Sequence, residues 1–415
     1  MELQISRGCP SCGAPLEMRE DDRLTDCAFC DVQSYLVDPG LRRYLLPLAK
    51  TAGRDDAATI YFPYLRFKGT VFSCQGRQVN HKILDTTCRG LDEPLVPASL
   101  GVRPQAMRVG VVDNSCAGRF IRRAETAAAI LQRAALLAGA GGRREAEPLY
   151  HRAFIGETVS CIYLPLAVHD DQLYDEVLGR PLGTIDDWSV DMNGSVRFQP
   201  QWQPSFLATI CPQCGAVMSG ERDSLVIHCH NCQSSWSEKG GKFVPVPYRV
   251  VSGGGGAALY LPFWRIGVET TGIEMRTMAD LLAVTNQPVV INSDHRARGL
   301  EFWVPAFKVR PTALLKLARS ATLSQMKYPD GEKKLTRPLY PVTLPLKEAI
   351  QVLKSLVAEM TVRKQEFLPQ LPQLNVAVRQ TSLVFLPFAS TGHDLVQIHS
   401  SLAVASSIVH YGRKL

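Results

Sequence analysis

No run of about 18 or more apolar residues occurs in this chain, the length a membrane-crossing helix requires. The nearest candidate, residues 124–140, is interrupted by Gln132 and Arg133. The first residues, MELQISRGCPSC, contain no apolar core of the kind that marks a secretory signal. A soluble protein in a reducing cytoplasm is therefore the expectation. GxSxG, HExxH and the phosphate-binding GxxxxGK[ST] pattern are all lacking, which argues against the common hydrolase, metalloprotease and nucleotide-binding classes. Charge of one sign is also scarce: 46 basic residues against 39 acidic ones leave a net charge of +7. This balance permits an anionic partner without demanding one.

What is present is ordinary globular material. The chain has 415 residues, 46% hydrophobic and 20% charged. That is enough for two or more cores, and it excludes wholesale disorder.

The twelve cysteines carry the strongest signal. Eight fall into two sets, Cys9, Cys12, Cys27 and Cys30, then Cys211, Cys214, Cys229 and Cys232. Each set reads CxxC, fourteen residues, CxxC. A two-residue gap lets the backbone turn tightly enough for both thiolates to reach one ion at about 2.3 Å, and two such knuckles complete a tetrahedron. In a reducing compartment paired cysteines indicate metal rather than disulfides. Gly13 and Gly215 follow the first knuckles, where the turn needs positive φ. Between the knuckles a short hairpin is expected, from Leu16–Met18 through a turn at Glu20–Asp22 to Leu24. Its counterpart runs from Val217–Met218 through Glu221–Asp223 to Leu225–Ile227. His228 and His230 flank Cys229 and are read as exposed polar residues, because four thiolates already close the site.

These two segments resemble the zinc-ribbon superfamily, with its CPxCG opening knuckle. The resemblance covers residues 9–30 and 211–232. It implies two structural zinc ions per chain, with iron as the alternative occupant of a four-sulfur site. Both closing knuckles depart from the family's usual glycine, having Asp31 and Gln233 instead.

Repetition extends beyond the cysteines. IYFPYLRF at 60–67 recurs as LYLPFWRI at 259–266, and CIYLPLAVHDD at 161–171 as LVFLPFASTGHD at 383–394. The elements RGL, VPA and VRP recur in order within 89–104 and 298–311. On this alignment Cys88 faces Ala297 and Cys161 faces Leu383. Cys74, Cys88, Cys116 and Cys161 are read as small core residues. The expected fold is α+β, a tandem duplication in which each half joins a ribbon to a twisted antiparallel sheet with a packed helix. The expected domains are ribbon 1–35, lobe 36–205, ribbon 206–240 and lobe 241–415. Helices are expected over 119–138 and 346–363. The YLPF-type segments read as strands whose prolines, Pro63, Pro165, Pro262 and Pro387, place them at edges or bulges. Residues 139–148 and 327–338 read as exposed loops, and the tetraglycine 253–256 as a turn. The His-Asp pairs at 169–170 and 393–394 read as hairpin turns.

Three functions are weighed. The first is a non-enzymatic adaptor or scaffold that binds protein partners within an assembly. The second is nucleic-acid binding, in which Arg66, Lys68, Arg265, Lys308 and Arg310, interleaved with aromatics, form the interaction surface. The third is an enzyme with a site between the halves. No catalytic residue is assigned.

Overall fold

The computed structural model describes residues 4–9, 11–38, 40–48, 59–139, 147–253, 256–324, 335, 338–400 and 402–412. It is a mixed α+β protein, 22% helix and 40% strand, with several sheets. Among the described residues no helix is long and apolar enough to cross a membrane. The chain divides into two compact units. The first comprises Met1–Gly69, Leu84–Ala138 and Glu157–Thr209. The second comprises Thr70–Ile83, Gly139–Gly156 and Ile210–Leu415. Two segments of the amino-terminal half thus group with the second unit, and Phe72, Cys74, Ala153 and Ile155 lie in its core. Most of the loop expected at 139–148, most of that at 327–338, and Gly254 and Gly255 fall outside the described residues. Leu335, within the second loop, is buried.

The two longest strands of the first unit's sheet, Ile60–Gln75 and Leu149–His169, pair with each other. Strand Arg42–Leu45 runs parallel to Leu149–His169, with Arg43 opposite Cys161. Strand Gln172–Asp175 returns antiparallel on it, with Leu166 opposite Asp175. In the second unit, Leu259–Thr271 pairs antiparallel with Asn375–Thr391. There Tyr248–Val250 runs parallel to Asn375–Thr391, with Tyr248 opposite Leu383. Asp394–Gln397 returns antiparallel, with Phe388 opposite Gln397. These two large sheets are mixed rather than antiparallel, while the two three-stranded sheets are antiparallel. The short parallel strands arise because the chain enters from a ribbon alongside a long strand it has yet to form.

The four prolines occupy neither free edges nor bulges. Each sits where one neighbour along one side of a long strand ends and another begins; at Pro262 these are the isolated bridge Tyr260–Leu339 and the strand Glu301–Pro305. Along Asn375–Thr391, Tyr248–Val250 covers Leu383–Phe385 and Asp394–Gln397 begins at Phe388, so Pro387 lies at the junction. Pro165 lies between Tyr163 and Leu166 in the same way. A backbone N–H at such a junction would have no ladder partner, so proline loses nothing there. The proline carbonyl stays in use. Pro165 accepts from the Glu176 amide at 3.1 Å and Pro387 from the Ile398 amide at 3.1 Å. Pro63 accepts from Gly90 at 2.8 Å and Pro262 from Ala306 at 2.9 Å.

These bonds also reset part of the sequence alignment. The carbonyl of Gly90 accepts from Ala124 and Glu125, and that of Ala306 accepts from Thr343 and Leu344. Gly90 therefore occupies the place of Ala306, and the two RGL elements do not coincide, nor do the two VPA elements. VRP does open a helix in each unit, Arg103–Ala106 and Pro311–Leu323, with proline in the first turn. The first expected long helix begins only at Ala127, because Arg119–Phe120 is instead a strand beside Tyr61. The second is two helices, Leu346–Gln351 and Leu353–Met360, whose apolar face includes Leu353, Leu356 and Val357.

The first unit buries charge as well as apolar surface. Arg66 and Glu20 are buried, and the Arg66 guanidinium donates to both Glu20 oxygens at 2.7 Å. It also donates to both Asp85 oxygens, at 2.7 and 2.8 Å. Removing one member of such a group leaves the others desolvated and unpaired, typically costing about 3–5 kcal/mol, whereas apolar replacement of a whole pair is far better tolerated. Arg66→Ala should therefore lower stability by about that amount in chemical denaturation, and Arg66→Met combined with Glu20→Leu by clearly less.

Candidate metal centres

Each four-cysteine cluster is assembled by two tight turns. In the first ribbon the Cys9 amide donates to the Ala14 carbonyl at 2.7 Å and the Gly13 amide to the Cys9 carbonyl at 2.9 Å. The Cys211 amide donates to Ala216 at 2.8 Å and the Gly215 amide to Cys211 at 2.9 Å, repeating the turn. Gly13 and Gly215 have φ of 75° and 76°, as their place after the first knuckle requires. The closing knuckles make the same left-handed turn without glycine: Asp31 has φ 53° and Gln233 φ 54°. The residues flagged as departures thus keep the glycine geometry at some steric cost.

Among the described residues the expected hairpin is absent from the first ribbon, and in the second its arms meet only at the single antiparallel bridge Ser219–His228, with 2.9 Å bonds in both directions. In the first ribbon Pro15–Arg19 pairs with Gln4–Gly8, and Leu24–Asp26 with Gln33–Val37, with Leu24 opposite Tyr35. In the second, Val226–Cys229 pairs with Ser234–Glu238, with Val226 opposite Ser237. The turn acids are not free either. Glu20 is held by Arg66, and Asp22 accepts from the Arg19 amide at 2.8 Å.

Within each cluster the four sulfurs lie within 4.8 Å of one another. Cys9 and Cys30 are 3.8 Å apart, and Cys12 and Cys27 3.6 Å. Cys211 and Cys232 are 3.6 Å apart, and Cys214 and Cys229 3.4 Å. A tetrahedron of sulfurs at about 2.3 Å from a central ion has edges of about 3.8 Å, so both donor sets fit one soft cation each. The thiols already differ in acidity. Backbone amides of Cys12 and Ser11 lower Cys9 to about 6. Burial opposes ionisation of Cys211, but the Gln213 amide, the Ser234 hydroxyl and the Cys214 amide outweigh it and bring that thiol to about 6. The Val32 amide draws Cys30 down, yet desolvation and the neighbouring sulfurs of Cys27, Cys12 and Cys9 push it up to about 12. Cys232 is likewise pushed up to about 12: burial and the sulfurs of Cys214, Cys211 and Cys229 outweigh the Ser234 hydroxyl.

Sequence reasoning missed the residues that surround the second centre. The Ser234 hydroxyl lies 2.9 Å from Cys232 Sγ and 3.7 Å from Cys211 Sγ, and it accepts from Trp236 Nε1 at 2.7 Å. The Asn231 side chain hydrogen-bonds Cys214. The Gln233 side chain donates to the His230 carbonyl at 2.6 Å and accepts from the Leu335 amide at 2.7 Å. The available signal was a serine two residues past the last ligand with an indole two residues further on. His228 is not exposed as expected. It is half-buried against Tyr248 and Phe385, Nδ1 lies 2.8 Å from the Ser235 hydroxyl, and burial followed by the charge of His230 lowers it to about 4. His230 is exposed.

The structure disperses the other residues considered from sequence. Arg66 is buried, which removes it from any interaction surface. Lys68 is half-buried, and its Nζ is shielded from solvent. Arg265 pairs with Glu301 at 2.8 Å and lies over the Trp303 ring. Lys308 is half-buried, and only Arg310 of the five is exposed. Cys74 and Cys161 are buried, Cys88 and Cys116 half-buried. Burial pushes Cys74 up to about 12 and Cys161 up to about 11, as for inert core thiols. Asp170 and Asp171 form a two-residue hairpin turn with φ of 49° and 57°, and Gly392 begins the corresponding turn with φ 73°. Comparison with protein-family models, curated proteins and solved structures gives no match to this chain.

The left-handed residues separate two effects. Asp31→Gly should raise the melting temperature of the metal-loaded protein, relieving roughly 1 kcal/mol of backbone strain. Gln233→Gly should lower it, because two side-chain hydrogen bonds of about 1 kcal/mol each are lost with the strain. Metal uptake should also release protons at pH 7, since Cys30 and Cys232 are protonated there without metal. The sign follows: binding weakens as pH falls and thiolates are reprotonated. Titration in weak buffer with a pH indicator reads the release directly.

Proposed function

We propose that the chain is a zinc protein with two structural ions, built by tandem duplication, that serves as a non-enzymatic adaptor docking protein partners within a larger assembly. The observation that carries this reading is Phe29. Its ring is 73% exposed, and it stands between the ligands Cys27 and Cys30. An aromatic side chain on a metal-braced turn is a rigid, low-entropy anchor of the kind that dominates protein interfaces. Zinc is favoured over iron as the common occupant of four-cysteine ribbons, where it contributes ~10–16 kcal/mol of apparent binding energy and replaces a core that so short a segment cannot build.

Duplication is supported by the matched backbone of the units. The paired registers of the ribbons, the parallel entry strand and the four proline junctions recur with the same partners. Nucleic-acid binding draws less support, because Arg66 is buried and Arg265 is engaged by Glu301.

Elemental analysis of protein purified without chelator should find close to two zinc per chain, and absence of bound transition metal would overturn the reading. Partner capture from native material should be lost in Phe29→Ala while the zinc content stays unchanged. A wild-type protein that stays monomeric and captures nothing would count decisively against an adaptor.

A further inference from the structure

The two centres share ligands and backbone but differ in what surrounds the sulfurs. In the second ribbon, Trp236 donates to Ser234 Oγ, which commits an oxygen lone pair and leaves the hydroxyl hydrogen for the thiolates. The nearest acceptor for it is Cys232 Sγ, 2.9 Å from the hydroxyl oxygen, with Cys211 Sγ at 3.7 Å. Asn231 supports a third ligand, Cys214. At the matching positions of the first ribbon stand Val32 for Ser234, Phe29 for Asn231 and Ser34 for Trp236. Valine and phenylalanine have no side-chain donor, so neither can hydrogen-bond a sulfur. Both are exposed, Phe29 at 73% and Val32 at 41%.

A four-thiolate site carries two more negative charges than a divalent ion neutralises. Hydrogen bonds to the sulfurs disperse that excess, hold the ligands in place and slow their protonation or capture by competitors. Outer-shell partners of this kind are worth roughly 10- to 100-fold in metal affinity. We infer that the two sites are unequal: the first ribbon is an exchangeable site for a soft divalent cation, and the second is a permanent one. This rests on the metal-binding reading above. It goes further in assigning exchange to one ribbon and in naming Ser234 and Trp236 as positioning residues for the other.

The test is a chelator titration of the full zinc-loaded chain, followed by native mass spectrometry. Released thiols are alkylated and mapped by peptide analysis. A one-ion species should accumulate before the metal-free one, with alkylation reaching Cys9, Cys12, Cys27 and Cys30 first. Val32→Ser should slow loss of the first ion, and Ser234→Ala should speed loss of the second by roughly 10- to 100-fold. Neither variant removes a ligand, so both read the surroundings rather than assembly of the site. Loss of both ions in one step, or first alkylation at Cys211 and its partners, would overturn the inference even with zinc confirmed. Failure of the chain to take up any metal would overturn the underlying reading instead.

Discussion

Mutual repulsion among four thiolates is the constraint on which each ribbon depends. Sulfurs less than 4 Å apart, such as Cys12 with Cys27 and Cys214 with Cys229, cannot all ionise without a cation between them. Without one, the protein divides the protons unevenly, lowering Cys9 and Cys211 while Cys30 and Cys232 are driven up. The turns that aim the sulfurs persist because they are held by the backbone. Each opening knuckle closes a ring of amide-to-carbonyl bonds that involves no sulfur. The ribbons are therefore preorganised for a cation by their turns, and electrostatic repulsion is what the cation relieves.

The long strands follow a second rule, that every backbone N–H inside a sheet needs an acceptor. A strand that carries two shorter neighbours along one side has a gap where the first ends and the next begins. Proline fills that gap at Pro63, Pro165, Pro262 and Pro387 because it has no N–H to leave unpaired. The same position lends its carbonyl to the strand that is arriving or leaving. The YLPF-like segments are thus branch points of the sheet, which accounts for their fourfold recurrence better than a preference for edges does.

The two four-cysteine clusters were legible from spacing alone, since CxxC geometry is local and admits few alternatives. The strand character of 60–67 and 259–266 was legible for a similar reason. The sheet was not. Whether a proline marks an edge or a junction depends on strands that are distant in sequence, such as Tyr248–Val250 beside Leu383. The alignment of RGL with RGL failed because short identical triplets carry less information than a hydrogen-bond pattern, which sets Gly90 against Ala306. Arg66 looked like a surface cation because its burial is made tolerable by Glu20 and Asp85, and neither is near it in sequence. Asp31 and Gln233 read as departures from a pattern, yet they adopt the backbone the pattern demands.

The two four-cysteine clusters repeat the same backbone turns and differ in the side chains around them. The glycines after the first knuckles and the prolines at the junctions are alike in both halves, where the backbone geometry favours them. Positions around the sulfurs differ, Ser234 and Asn231 on one side and Val32 and Phe29 on the other. Under the inference above, that difference leaves both donor sets able to fit a cation and changes how tightly each would hold it. The exposed apolar pair in the first ribbon cannot be explained by stability, since burying Phe29 or replacing it with a polar residue would serve the isolated chain better. On the proposed docking function, the place of Phe29 between Cys27 and Cys30 makes it part of a rigid turn offered to a partner.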